Sequence, residues 1–521
     1  MTMQTDVLII GAGLTGTVAA DEIIQSSDLN VMQLCSGSGA SPYIHGFCMP
    51  VGEKDSEALL YADTIASGYD QCDPRLVNSL CSQAAALEEY FAGLDLQLDK
   101  DEKGPRLLHA LGSTVPRIAS IHNDTGAIML RRVRDRLQKS PRYTALQHQR
   151  ALELILEKGR VIGARCFDEE KKQFYAVYAK SVILATGGFG RMFPESTNSP
   201  DIGGDGAAMA YLAGASLTDM EFVQFEPSAA VWPPQVAGKG IVTTMFYDGA
   251  VLRGKDGNRF MLSYGENAER VPKDVQSKCI CDEIRKNGAS PHGGVWFDAT
   301  GVPEEKWQGA YKPYLNRYLA CGIDLRKEPV EIAPAAHTTC GGVRIDENCL
   351  SEVPGLIVCG EAAGGLHGAN RLGGNAGLET MVFGRIAGKT AVTHTDASLS
   401  LPDSQEPHPD REPDVDVNAL REEFRQIMRR SLNVIRCEED LQKGMEAIND
   451  LLGRLGEYQG CYLKHRLYND LLTALITMKS ALERKGSKGC HCRMDAAEED
   501  TAYRVIIKKD GGKMNVRRVP V

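Results

Sequence analysis

The sequence predicts an α/β protein built on a Rossmann-like nucleotide-binding core, and three stretches carry that expectation. At the N-terminus an apolar strand runs straight into a glycine turn and a helix. Further on, a meander of antiparallel strands precedes an apolar strand ending in Ala-Thr-Gly-Gly. Behind a third apolar run, "GGLHGANRLGGNAGLET" (364–380) packs six glycines into seventeen residues.

The first stretch, "DVLIIGAGLTGTVAADEIIQ", reads as a strand from Val7 to Ile10, a tight turn, and a helix from about Leu14. Gly11, Gly13 and Gly16 fit G-x-G-x-x-G with a strand before and a helix after. Gly11 permits the turn, Gly13 lets a pyrophosphate approach, and Gly16 lets the helix pack on the strand. Ala12, Leu14 and Thr15 complete the loop, whose free N–H groups face the phosphates. The second strand, "NVMQLCSGSGAS", lacks the acidic residue that binds a ribose hydroxyl and ends in Cys35-Ser36 instead. That argues against a plain NAD site.

Length and composition set the outer bounds. A chain of 521 residues is too long for one core, and two to four domains are expected. With 43% hydrophobic and 25% charged residues it has an ordinary globular composition. A formal charge of −10 with no basic stripe excludes a broad nucleic-acid-binding role. The fifteen cysteines are dispersed, and Cys279-Ile-Cys281 and Cys490-His-Cys492 have neither zinc-finger nor ferredoxin spacing. No metal is expected. No apolar run approaches the roughly 18 residues of a membrane helix, and no secretory signal is visible. The expectation is a cytoplasmic chain with reduced thiols.

The segment "RALELILEKGRVIGARCFDEEKKQFYAVYAK" reads as two or three antiparallel strands, and "AKSVILATGGFGRMF" (179–193) as the strand that follows. This arrangement is similar to that of FAD-dependent oxidoreductases. The remaining motifs narrow the likeness. In order come "GDGAAMAYLAGASLTDMEFVQFEP", "AHTTCGGVRID" (336–346), "GEAAGGLHGANRLGGNAGLE" and "SALERKGSKGCHCRMD". Together they resemble the superfamily of succinate dehydrogenase and fumarate reductase flavoproteins and L-aspartate oxidase, over nearly the whole chain.

The resemblance implies a Rossmann-like FAD-binding domain (1–228 and 335–400) with an inserted α+β capping domain (229–334). The Pro- and Asp-rich segment 401–417 reads as a linker. Residues 418–521 would form a C-terminal helical domain, consistent with helical periodicity in "NALREEFRQIMRRSL" and "YNDLLTALITMKSALERK". The glycine-rich loop would lie beside the flavin ring, with Arg371 binding a substrate carboxylate bidentately. The helix from Asn375 would aim its positive end at the flavin. Glu361 would hold a ribose or ribityl hydroxyl, and Asp205 a second polar group of FAD. Ser41, Gly46, Ala151, Thr186, Gly187, Ala376 and Gly377 complete the implied cofactor set. Membrane-bound members attach FAD to a histidine where this chain has Ala40, so non-covalent FAD is expected. His45 stands where the family has Gln and would place an imidazole near the flavin.

The departures from the family concern the substrate. The histidine of its Q-F-H-P motif is Glu226 here. Its Thr-Glu-Gly segment reads as Tyr247-Asp248-Gly249. Counting back from "GGVWFDA", the proton-donating arginine of the capping domain falls among Arg285 and Lys286. His337 and Arg371 are retained, so one end of the pocket suits a carboxylate while the other has lost its anion-binding groups. A buried carboxylate facing another repels it or takes up a proton. Succinate and fumarate are therefore expected to be poor substrates, with Glu226 facing a hydroxyl or amine or acting as acid or base.

Three function classes follow from the resemblance. One is hydride exchange across a C–C bond of an organic acid, oriented by Arg371 and His337 with a proton relay from Arg285, Lys286 or Glu226. Another is L-aspartate oxidase-like oxidation of an amino acid. The last is an electron-relay flavoprotein that serves a larger enzyme. With no iron–sulfur ligands visible, electrons would pass to or from a separate partner, a soluble carrier or oxygen.

Overall fold

The computed structural model describes residues 3–102, 104–122, 124–403, 406–497 and 501–521. Ser404 and Gln405 of the expected linker, and residues 498–500 of the expected C-terminal domain, lie outside the described residues.

The chain opens with β1 (Gln4–Ile10), α1 (Leu14–Ser26) and β2 (Val31–Cys35). The two strands pair in parallel, from Val7 against Val31 to Ile10 against Leu34. β3 (Tyr143–Gln147) adds in parallel to the far side of β2. The meander is β4 (Gln149–Glu157), β5 (Arg160–Asp168) and β6 (Gln173–Leu184). β6 runs antiparallel to β5 over its first half and parallel to β1 over its second. Ser181 to Leu184 are wholly buried, as befits a strand covered on both faces. Strand Leu356–Val358 extends the sheet on the far side of β6. Gly11 has φ +119°, and a Cβ there would stand 2.2 Å from the Ala185 carbonyl oxygen, so no other residue fits this turn.

A second sheet is antiparallel, with β7 (Val223–Ala230), β8 (Val251–Arg253), β9 (Val295–Asp298) and β10 (Val330–Thr339) in the order β7-β10-β9-β8. With α2 (Lys273–Asn287) and α3 (Lys312–Leu319) it surrounds a hydrophobic core of its own, in which Leu252, Phe297, Trp307 and Ile332 are buried. The register of β7 on β10 shifts on either side of the Phe225–Glu226 pair. Such irregularities re-aim side chains, and they flank Glu226.

α4 (Asn375–His394) returns to the first sheet and lies along α1. Cβ atoms at Gly384 and Gly388 would come within 2.8 Å of the Thr15 carbonyl oxygen and 2.6 Å of Glu22 Cβ, which accounts for two glycines inside a helix.

Three helices follow, α5 (Val417–Ser431), α6 (Glu438–Leu455) and α7 (Tyr462–Glu483). α5 buries Val417, Leu420, Phe424 and Met428 at helical spacing. The helices match the periodicity of the sequence, but the end of the chain does not. Residues Tyr503–Asp510 and Lys513–Pro520 form a hairpin that joins a five-stranded sheet with Leu217–Thr218 and Gly342–Arg344. The Asp510-Gly511-Gly512-Lys513 turn, between runs of β-branched residues, is a hairpin signal that the helical reading passed over. Among the described residues no helix is long and apolar enough to cross a membrane.

Candidate active site

A cavity of about 820 Å³ runs from the ends of β1 and β6 to the middle of β7 and the end of β10. That is within the size range of cofactor and ligand sites, about 300–1,000 Å³.

The nucleotide end is built from backbone. Gly11, Ala12, Gly13 and Thr15 line it, as do Ser36, Ser41, His45, Gly46, Ala151, Thr186, Gly187, Ala376 and Gly377. α1 begins here with no acidic residue in its first turn and no side chain on its N-cap Gly13; Ser41 Oγ takes the Leu14 N–H at 2.7 Å, and the positive end of the helix still favours an anion. Gly187, at φ +75°, has open space where a Cβ would stand. These features fit a dinucleotide. Glu361 Oε1 accepts the Thr339 N–H at 2.9 Å, and burial pushes this carboxyl above its ordinary range. Asp205 lines the wall with both oxygens already bonded, to Arg150 Nη1 (3.0 Å) and Asn469 Nδ2 (3.0 Å).

Four expected cofactor residues stand behind the wall. The Leu14 side chain is wholly in the core, while its N–H donates to Ser41 Oγ at 2.7 Å. Gly16 packs on the Gly11 carbonyl, where a Cβ would stand 2.4 Å away. Cys35 is buried, with its thiol toward the Gln33 carbonyl. Asn375 is fully buried and donates to Thr64 Oγ1 at 2.9 Å. At these positions the motif fixes backbone or packing, not a side chain aimed at the cavity.

At the other end Arg371, His337 and Glu226 share the wall, as the sequence implied. Arg371 is 6% exposed. Its Nη1 donates to the Leu372 carbonyl at 3.2 Å, its Nε has no hydrogen-bond partner, and no carboxylate pairs with it among the described residues. Gln224 fixes the loop from below, donating to Asn370 Oδ1 (2.6 Å) and to the Arg371 carbonyl (2.8 Å). Thr197 Oγ1 lies 2.8 Å from His337 Nδ1, and His337 Nε2 lies 3.9 Å from Glu226 Oε2. Burial and the Lys273 charge, opposed by Glu226 and helped by Arg371, push this imidazole down to about 3. His337 is therefore neutral through the physiological range.

The proton-donor expectation is corrected here. Arg285 pairs with Asp282 at 2.8 Å and is half exposed, and Lys286 Nζ lies 6.0 Å over the Tyr264 ring. Neither reaches the cavity, because both sit in the last turn of α2, about 20 Å from its start at 1.5 Å per residue. The first residue of α2, Lys273, lines the wall and hydrogen-bonds Glu226 Oε2. Glu226 Oε1 accepts from Ser228 Oγ at 2.9 Å. Burial alone would raise the Glu226 carboxyl, but the Lys273 charge and the hydrogen bonds from Lys273 and Ser228 hold it below its ordinary value.

The substituted anion-binding segment also lies elsewhere than expected. Tyr247 stacks on His109 (centroids 4.5 Å apart), and Asp248 pairs with Lys306 at 3.0 Å. Neither lines the cavity; Thr243 and Thr244 do. Nor has this end lost its cations, since Lys273 and Arg317 both stand on the wall.

Comparison with known proteins gives the family. The FAD binding domain family matches residues 6–376, and the fumarate reductase flavoprotein C-terminal family matches 421–518. The chain is 34% identical to one of the subunits of the fumarate reductase (CoM/CoB) of Methanothermobacter marburgensis, over 95% of each chain. It is 31% identical to L-aspartate oxidase of Vibrio cholerae, over 95% of this chain and 96% of that one. Mycobacterium smegmatis Sdh1 superposes with a TM-score of 0.85 at 28% identity, covering 99% of this chain and 94% of that one. An Escherichia coli quinol fumarate reductase flavoprotein shares the fold at a TM-score of 0.91 and 24% identity, over 100% and 97% of the two chains. The chain therefore belongs to the FAD-dependent oxidoreductases of the succinate dehydrogenase, fumarate reductase and L-aspartate oxidase family.

Proposed function

We propose that this flavoprotein exchanges hydride with the carbon next to the one that bears the carboxylate of an organic acid, reducing or forming the C–C double bond between the two. The observation that carries this reading is Arg371, a buried guanidinium on the cavity wall with no acidic partner among the described residues. A buried guanidinium with an unfilled Nε and no carboxylate in ion-pair contact is costly, and a substrate carboxylate would supply the missing ion pair and hydrogen bonds. When bound, FAD supplies the two-electron chemistry. Arg371 holds the carboxylate and neutral His337 orients it through a hydrogen bond. Lys273 gives or takes the proton at the neighbouring carbon and exchanges it with Glu226, to which it is hydrogen-bonded. The capping unit, 229–334, carries Lys273 and Arg317 over the cofactor, with 1–228 and 335–400 beneath and the 401–417 linker leading to 418–521.

Succinate and fumarate are poor substrates in this reading. The ionised Glu226 lies 3.9 Å from His337, where a four-carbon diacid held by Arg371 would bring its second carboxylate. The fumarate reductase (CoM/CoB) relative is one component of a larger enzyme, and that supports a separate electron-transfer partner here. Amine oxidation is the second reading, supported by the L-aspartate oxidase relative, with Glu226 facing the substrate ammonium. It requires that ammonium to displace Lys273 from Glu226.

The test is anaerobic. The flavin is reduced, and 2-enoic acids including fumarate and crotonate are added while the oxidised flavin band is followed. Reoxidation by an enoate other than fumarate, with no ammonia released when the saturated acid or an amino acid is the donor, is the expected result. Rapid reoxidation by fumarate contradicts the role given to Glu226. Ammonia release on turnover moves the chemistry to the amine, and silence toward every acid leaves electron relay.

FAD is held without a covalent bond. Ala40 on the wall offers only a methyl group, so acid precipitation should release all the flavin into the supernatant. Flavin retained in the pellet would contradict this and implicate His45, the imidazole on the same wall.

A further inference from the structure

We infer that Tyr69 and Asp274 are a positioning pair for proton transfer: their hydrogen bond, made between the FAD-binding part and the capping unit, holds Lys273 in register with Arg371. The inference rests on the proton-transfer role proposed for Lys273. Asp274 is the second residue of α2, directly after Lys273, and is 8% exposed. Its Oδ2 accepts the Tyr69 hydroxyl at 2.6 Å, and its Oδ1 has no hydrogen-bond partner among the described residues. Burial pushes this carboxyl up to about 6, so at neutral pH it is ionised and is a strong acceptor for the phenol. Successive helix residues point about 100° apart, so a pinned Asp274 sets the direction in which Lys273 leaves the helix. Two other side-chain bonds of this turn run from Gln276 to the Glu269 carbonyl (2.8 Å) and from Ser277 to the Phe225 carbonyl (3.2 Å). Neither reaches the glycine-rich loop.

Tyr69 is tied to that loop. It follows helix Glu57–Ser67, and both Tyr69 and Asp70 take left-handed backbone, at φ +57°. That conformation is unfavourable for a residue as bulky as tyrosine, and it persists here where the chain turns between two parts of the site. The Gly68 carbonyl just before it accepts the Ala369 N–H at 2.9 Å, and a Cβ at Gly368 would stand 2.5 Å from that carbonyl oxygen. Ala369 lies two residues before Arg371. One turn therefore contacts the segment that carries the carboxylate-binding arginine and, through the phenol, the segment that carries the proton donor. Proton transfer at a carbon beside a bound carboxylate needs a fixed separation between those two groups, which come from different parts of the chain.

The test is rapid mixing of the reduced holoenzyme, without oxygen, with crotonate, 2-pentenoate and 2-hexenoate. The fastest of the three is then used on Tyr69→Phe, Lys273→Met and the double variant. Tyr69→Phe should lower the limiting rate of flavin reoxidation tenfold or more. It should leave the acid concentration for half-maximal rate within twofold and keep the full flavin content. In the Lys273→Met background it should lower the rate less than twofold further, because the group it positions is gone. Asp274→Leu should copy Tyr69→Phe, while Asp274→Asn, whose amide oxygen still accepts the phenol, should retain most of the rate. The pair is overturned if Tyr69→Phe keeps the wild-type rate, if its loss falls on affinity and not on rate, or if it lowers the rate by the same factor with and without Lys273. No reoxidation by any of the three acids, or a full rate in Lys273→Met, would instead overturn the reading of the reaction on which the pair rests.

Discussion

Arg371→Ala should lower kcat/KM on the organic acid by about 10²–10³-fold while leaving the flavin bound. Removing one partner of a buried, hydrogen-bonded charge pair costs about 3–4 kcal/mol, and each 1.4 kcal/mol is about tenfold in rate. Flavin should stay because the nucleotide end is formed by the α1 terminus and the glycine turns, which Arg371 does not build. Arg371→Lys keeps the charge and loses the bidentate fork, so an intermediate loss is expected. Single-turnover flavin kinetics across a range of acid concentrations separate binding from the chemical step. A variant that binds and turns over acid normally would show that Arg371 serves packing alone.

Lys273→Met should lower kcat by about 10²–10⁴-fold, the usual contribution of a positioned general acid. Substrate affinity should change far less, because Arg371 still holds the carboxylate. The variant also strips Glu226 of its partner, and this has its own pH signature. In the wild type the Glu226 carboxyl is held below its ordinary value, so its stabilisation is present above the unfolded value of about 4.3 and is lost only as pH falls through the lower folded value. In Lys273→Met burial is no longer opposed by the ammonium, and the folded value rises above the unfolded one. The sign then inverts: the variant should lose stability as pH rises above about 4.3 and toward neutrality. Lys273→Met combined with Glu226→Gln should restore the flat pH profile without restoring kcat. Full recovery of kcat in the double variant would show that Lys273 acts on Glu226 and not on the substrate proton.

The two ends of the cavity differed in how far they could be read from sequence, for a physical reason. The nucleotide end is local. Gly11 to Gly16 are consecutive, and the strand–turn–helix pattern is legible from them alone: a Cβ at Gly16 would meet the Gly11 carbonyl of the same unit at 2.4 Å, while one at Gly11 would meet the Ala185 carbonyl, at the end of β6, at 2.2 Å. Even there the motif does not separate residues that face the cavity from those that support it, and Leu14 and Gly16 stand behind the wall. The substrate end is assembled from segments far apart in the chain: Glu226 on β7, Lys273 on α2, Arg317 on α3, His337 on β10 and Arg371 on the glycine-rich loop. Counting back from β9 selected the wrong end of α2. A usable signal was present, since Pro272 followed by Lys273 and Asp274 marks a helix start, and a first-turn residue can project off the helix end. Arg317 had no local signal, being one arginine on a short amphipathic helix. Tyr314 is its neighbour one turn earlier on the same helix, but Gly240 reaches it only when the second core closes.

In the proposed function the buried Arg371, with no acidic partner among the described residues, selects a carboxylate beside the reacting carbon. Its most direct test is rapid mixing of the reduced holoenzyme, without oxygen, with a reactive 2-enoic acid and separately with its methyl ester. The acid should reoxidise the flavin at least a hundredfold faster than the ester, and Arg371→Ala should erase that difference. Equal rates for acid and ester in the wild type would contradict the account.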